Sequence, residues 1–197
     1  IDLRRLAEET RSDIQKVNIV GALVQGRGEE SALRVLADTY GTTTNGEAFA
    51  RAFLGIQEWS TSGHIARFME PIIALLIEQG LVNAEGILDA GCGPLTLERT
   101  LDLPIYGVDL NPHMLAMACP LSTHQGRKAR VQPLSKLPKE WAAKFELTVA
   151  SLVLDWTLLG KKTKRSSQSE RLKILQELVR VTHPYGRVWL TVTHRSL

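Results

Sequence analysis

The run Ile87-Leu88-Asp89-Ala90-Gly91-Cys92-Gly93-Pro94 constrains the fold more than any other stretch of the chain. Residues suited to a buried strand lead straight into two glycines one residue apart, and glycine is what a backbone needs to turn tightly or to come within contact of a ligand. A strand ending this way belongs at the carboxyl edge of an open parallel sheet, where such folds place their ligands. The flanking pattern agrees. From Gly86 onward short β-rich runs, at Ile87 to Ala90, Ile105 to Asp109, Ala129 to Pro133, Phe145 to Leu154 and Arg187 to Thr193, alternate with helical or loop stretches. The clearest helix is predicted over Glu170 to Val181, with Leu172, Leu175, Leu178 and Val179 on one face. Strands alternating with crossovers predict an α/β, Rossmann-like fold: a mostly parallel sheet with helices on both faces.

Ahead of that sheet the pattern is helical. Leu3 to Val24, Glu29 to Tyr40, Glu47 to Trp59 and His64 to Gln79 carry apolar residues at three- and four-residue spacing. In the last of these Ile65, Phe68, Ile72, Leu75 and Leu76 line one face, and Gly80 stands where a helix C-cap glycine belongs. Residues 1–80 are therefore expected to form an N-terminal helical cap or lid region, and residues 81–197 the sheet domain. With 197 residues, 44% hydrophobic and 23% charged, the chain has a core's worth of apolar surface, which excludes a disordered tail or a disulfide miniprotein. Its apolar runs, such as Pro71 to Ile77, fall far short of the roughly 20 residues that cross a bilayer, so no membrane partner is expected. Two cysteines, Cys92 and Cys119, make no secreted framework and point to a reducing, cytoplasmic setting. The chain opens at Ile1 without methionine and stops at Leu197 in a strand region, so a fragment or a processed product is expected, from which a targeting segment could have been removed.

Asp89 narrows the choice of ligand. A fixed carboxylate two residues before the turn repels a dinucleotide pyrophosphate, by several kcal/mol where screening is poor, and attracts an ammonium or sulfonium group. The next strand ends in Gly107-Val108-Asp109-Leu110-Asn111, which puts a second carboxylate at the neighbouring strand tip, where it can accept bonds from both hydroxyls of a ribose. A ribose beside a cationic amino-acid moiety describes S-adenosylmethionine.

At these residues the chain resembles the class I S-adenosylmethionine-dependent methyltransferases, in particular the small-molecule group with a methyltransferase type 11 domain, over about residues 64–197. The family's first motif matches Asp89-Ala90-Gly91-Cys92-Gly93 and its ribose acid matches Asp109. Its adenine-facing segment matches Val131 to Pro138, its fourth strand Phe145 to Ser151, and its turn before strand five His183-Pro184-Tyr185-Gly186-Arg187. The resemblance implies a cofactor site of Asp89, Gly91, Cys92, Gly93, Asp109, Leu110, Leu134, Ser151 and Leu152, with S-adenosylmethionine as the methyl donor. It departs in three places. Leu95 replaces the third glycine often found in the first motif, with a narrowed methionine pocket as the expected consequence; Pro133 stands where many relatives carry an aspartate toward the adenine amino group; and the two strands that usually follow the fifth are missing.

On the acceptor side the resemblance implicates His64, at the start of the helix before the first strand, and Asp155 and Trp156, directly after the fourth. An exposed helix end, a loop aspartate and a packing tryptophan are the plainer readings of the same residues. Cys92 reads as a small residue fitting a tight turn. No His/Cys cluster has metal spacing. The net charge of +3 allows an anionic partner without demanding one, and the cations cluster at Lys161-Lys162-Thr163-Lys164-Arg165, within a polar loop expected over residues 161–171. Three functions follow: methyl transfer to an oxygen, nitrogen or carbon of a small molecule; methyl transfer to RNA through that basic loop; or a non-catalytic, structural or assembly subunit.

Overall fold

The chain builds a five-stranded, wholly parallel sheet of order β3-β2-β1-β4-β5. A computed structural model describes residues 50, 65–151, 153–156 and 164–191, without the side chains of residues 155–156 and 164–167. In chain order the elements are a π-helical turn at Ile65–Met69 running into helix α1 (Glu70–Glu78), strand β1 (Ile87–Ala90), α2 (Thr96–Leu101) and β2 (Tyr106–Asp109). There follow α3 (Pro112–Ala118), β3 (Ala129–Val131), β4 (Phe145–Ser151), α4 (Val153–Trp156), α5 (Lys164–Val181) and β5 (Thr182–Thr191). The sequence expectations for Leu3 to Val24, Glu29 to Tyr40 and nearly all of Glu47 to Trp59 lie outside the described residues.

Both faces of the sheet are covered, and all four residues of β1, Asp89 included, are buried. Ile87 points with Leu147 and Val149 toward α1 and α2, packing against Ile65, Met69, Ile73 and Leu97. Leu88 and Ala90 point the other way with Ala150, against Leu134, Leu137 and Trp141 and the inner face of α5. Tyr106, Trp141 and Phe145 meet edge-on beneath this second layer, with ring centroids 5.2–5.7 Å apart.

Several boundaries differ from the sequence reading. The buried face of the π-helical turn and α1 is Ile65, Met69 and Ile73, whereas Phe68, Ile72 and Leu75 are about half exposed. The π-helical turn is the reason: it takes up one residue more per hydrogen-bonded turn and so advances the buried stripe from 68 to 69. On α5 the buried side chains are Ile174, Leu178 and Val181, while Leu172 and Val179 face out. β4 stops at Ser151, and Val153 already begins a helix, so Asp155 and Trp156 lie on α4 and not in a loop. The expected basic loop over 161–171 is helical from Lys164 onward, as the opening turns of α5; Lys161 to Thr163 lie outside the described residues.

β5 begins at Thr182, earlier than expected, but pairs discontinuously: Thr182 sits opposite Phe145, and the next partners are Arg187 and Leu147. His183 to Gly186 bulge out between them, leaving Tyr185 exposed. At the start of the strand Thr182 Oγ1 donates to the Leu178 carbonyl (2.6 Å) and shares a 2.7 Å bond with Thr148 Oγ1. The end of the bulge demands glycine, because a Cβ on Gly186 would stand 2.8 Å from Thr182 Cγ2 and 2.9 Å from the carbonyl oxygens of Phe145 and Glu146. Gly186→Ala is expected to cost about 1–3 kcal/mol of unfolding free energy by prising β5 from β4. Urea titration checks this, and an unchanged midpoint would show that the bulge relaxes freely.

Candidate functional site

The site is built where β1 and β2 end side by side. Asp89 is paired with Gly107, and the chain then leaves β1 through Gly91 and Gly93, whose φ values of +83° and +49° lie in the left-handed region that favours glycine. The turn is tied to the neighbouring strand. The amides of Gly91 and Cys92 both donate to the Val108 carbonyl, at 2.7 and 2.9 Å. Asp109 completes the tie, accepting from the Gly93 amide on one oxygen (2.9 Å) and from the Asn111 amide on the other (2.8 Å). Asn111 in turn caps α3 by accepting from His113 N (3.0 Å). Both Asp109 oxygens are acceptors at the tip of β2, the type of atom to which a ligand hydroxyl donates.

The electrostatics favour a cation. Asp89 is buried, and burial first, then the charges of Asp109 and Glu98, push its pKa from 3.8 to about 7. Burial and the two neighbouring charges raise the cost of ionising Asp89, and a positive group beside it lowers that cost. The linkage has a definite sign. The folded chain retains a proton that the unfolded chain has released, so the stability it contributes is complete below pH 3.8 and is lost as pH rises through about 7. Asp89→Asn, neutral throughout, is expected to gain about 2 kcal/mol in denaturant titrations near pH 8 and nothing near pH 4. A gain of equal size at both pH values would show that charge at Asp89 is not what the folded chain resists.

The other residues expected at the site fall into three groups. Cys92, Gly91, Gly93, Asp89 and Asp109 come together as described. Cys92 is buried over Gly107, where a Cβ would stand 3.0 Å from its Sγ, and burial raises its thiol pKa, so it fills the turn as an inert small side chain. Leu110 is 49% exposed beside Asp109 at the tip of β2 and offers an apolar side chain there. Ser151, at the tip of β4, has a buried Oγ with no hydrogen-bond partner among the described residues. Leu134 instead lies in the core with Leu88, Trp141 and Ile174. His64 and Leu152 lie outside the described residues, and Asp155 and Trp156 are placed by their backbone alone, on α4.

Two features carried no sequence signal. Glu98 is buried on α2 and accepts from Ser122 Oγ and from Gly126 N, partners 24 and 28 residues downstream. Val153 on α4 packs against Gly91 so closely that a Cβ on the glycine would overlap its Cγ2. Leu95, the departure at the end of the glycine motif, adopts φ +57°, ψ +34°, a left-handed conformation that suits the glycine it replaces. Its side chain is fully buried with Cys92, Leu115 and Ala118.

The donor set fits a ligand carrying a positive group, vicinal hydroxyls and an apolar ring. It offers an acid whose pKa is raised to about 7, a second acid at the neighbouring strand tip, an exposed leucine, and a buried hydroxyl with no partner among the described residues.

A family model described as a methyltransferase domain matches residues 88–190. No curated protein matches the chain. Among solved structures it is similar to the CcbJ methyltransferase of Streptomyces caelestis, at 17% identity over 59% of this chain and 46% of that one, with a TM-score of 0.45. It is also similar to an S-adenosylmethionine-dependent methyltransferase of Clostridium acetobutylicum, at 20% identity over 71% and 54% of the two chains, TM-score 0.48. A third, the magnesium protoporphyrin IX methyltransferase of Synechocystis with bound S-adenosylmethionine, shares 18% identity over 70% and 72%, TM-score 0.45. The chain spans about half the length of the first two.

Proposed function

Since the chain belongs to the methyltransferase-domain family, we propose that it binds S-adenosylmethionine at the glycine turn after β1 and transfers the methyl group to an oxygen, nitrogen or carbon of a small molecule. The observation that carries this reading is the tied pair of strand tips, in which the Gly91-Cys92-Gly93 turn is hydrogen-bonded to Val108 and Asp109 beside the buried Asp89. When bound, S-adenosylmethionine supplies a methyl group made electrophilic by its sulfonium.

The chain's own residues bind and orient. Asp89 meets the positive amino-acid end of the donor and gives up its proton in doing so, which makes affinity rise with pH up to about 7 and level off above it. Asp109 accepts from the ribose hydroxyls while keeping its two backbone amides. Leu110 covers one side of the adenine, and Ser151 Oγ finds the partner it lacks. On the acceptor side Asp155 takes up the acceptor's proton where one must leave, and His64 and Trp156 shape the pocket. Much of the rate comes from alignment of the acceptor with the reacting bond and from exclusion of water. A single base adds about 10²- to 10⁴-fold.

Calorimetric titration with S-adenosylmethionine and with S-adenosylhomocysteine tests the donor site, and absence of heat with both overturns it. Incubation with cell extract and isotopically labelled donor then identifies the acceptor by mass spectrometry. Donor binding without transfer to any component would favour a structural subunit, and label recovered in RNA would move the acceptor from a small molecule to nucleic acid.

A further inference from the structure

α5 does more than cover the second face of the sheet. Its Arg171 donates from Nε to the carbonyl of Leu154 (3.2 Å), on α4. The described part of α4 is Val153–Trp156, and contacts from outside the helix hold it in place. Leu154 anchors it in the core, and Val153 presses on Gly91 where the backbone has no side chain to push back. A continuous line of contact thus runs from α5, through Arg171 and α4, to the glycine turn. The turn amides at its far end hold Val108 and Asp109.

We propose that Arg171 is a positioning residue: by fixing α4 it clamps Val153 onto Gly91 and keeps the glycine turn closed against the tip of β2. The proposal rests on the donor reading only for its functional consequence, a donor site preorganised before the ligand arrives. Without the brace α4 lifts, the turn samples open forms, and the donor must close it at the expense of affinity.

The experiment compares amide hydrogen exchange at residues 91–93 in the ligand-free protein, together with affinity for S-adenosylhomocysteine. Arg171→Ala is expected to speed exchange at these amides about tenfold while the amides of β4 hold their rates, and to weaken binding about tenfold. Arg171→Lys, which keeps the charge and a donor, recovers part of both. Val153→Ala reproduces both effects, and combining it with Arg171→Ala adds less than about twofold, because the two substitutions cut the same line of contact. Thr182→Ala, which loosens the opposite end of α5, lowers the melting temperature but leaves exchange at 91–93 unchanged. If Arg171→Ala and Val153→Ala both leave exchange at the turn at its wild-type rate, or raise it only in step with β4, the brace is overturned. A wild-type protein that binds no donor, but whose turn responds as described, would refute the donor reading and leave the brace standing.

Discussion

Gly91→Val is expected to abolish binding of S-adenosylmethionine and S-adenosylhomocysteine, lowering affinity by about 10³-fold or more, while circular dichroism keeps most of its helical signal. Two independent causes act at that position. The backbone sits at φ +83°, which a β-branched residue resists, and a Cβ there would overlap Val153. The smaller Gly91→Ala separates them. Paired with Val153→Ala it loses the overlap but keeps the backbone strain, so it should recover part of the affinity lost by Gly91→Ala alone. Wild-type affinity in Gly91→Val would remove the donor from this turn altogether.

The second large effect is expected at Asp109. Alanine there removes two acceptors at once from the folded chain and strands the buried amides of Gly93 and Asn111. It also removes the acceptor proposed for the ribose. Hydrogen bonds to a charged group contribute roughly 1.5–3 kcal/mol each, so a fall in affinity of about 10²-fold or more is expected, alike for the sulfonium and thioether forms of the ligand. An asparagine at the same position keeps one acceptor oxygen, and Asp109→Asn should therefore fall between wild type and alanine. Selective loss of S-adenosylmethionine with S-adenosylhomocysteine unaffected would mean that Asp109 acts through charge and not through the ribose.

What could be read in the sequence was what depends on neighbours in the chain. The Ile87 to Ala90 strand emerged with its boundaries intact because a buried strand followed by glycines is a local signature, and the carboxylate at the next strand tip followed from the same logic. The existence of α1 and α5 was legible too, but their buried faces were not. α5 carries two overlapping apolar stripes, Leu172, Leu175 and Val179, and Ile174, Leu178 and Val181, and spacing alone cannot choose between them. The sheet chooses, taking the second, while Glu177 and Arg180 on the same helix are held to Leu137 and Pro138. The role of Asp109 was half legible. Its place at the strand tip could be inferred, but its bond to the Gly93 amide joins residues 16 apart and appears only once both tips stand side by side. Glu98, Val153 and Arg171 were silent for the same reason: each matters through contact with a distant segment.

Leu95 ties the glycine turn to the interior in a way that restricts how this sequence can drift. Its side chain fills the space above Gly126, where a Cβ would stand 2.7 Å from Leu95 Cδ1. Positions 95 and 126 therefore share one volume, and a substitution that enlarges either requires the other to shrink. Return to glycine at 95 would ease the backbone but empty that volume beside Cys92, Leu115 and Ala118. Single steps at either position are blocked by opposite penalties, so the two are expected to vary together along any lineage that carries this turn, and the leucine persists as a consequence of its neighbours' sizes.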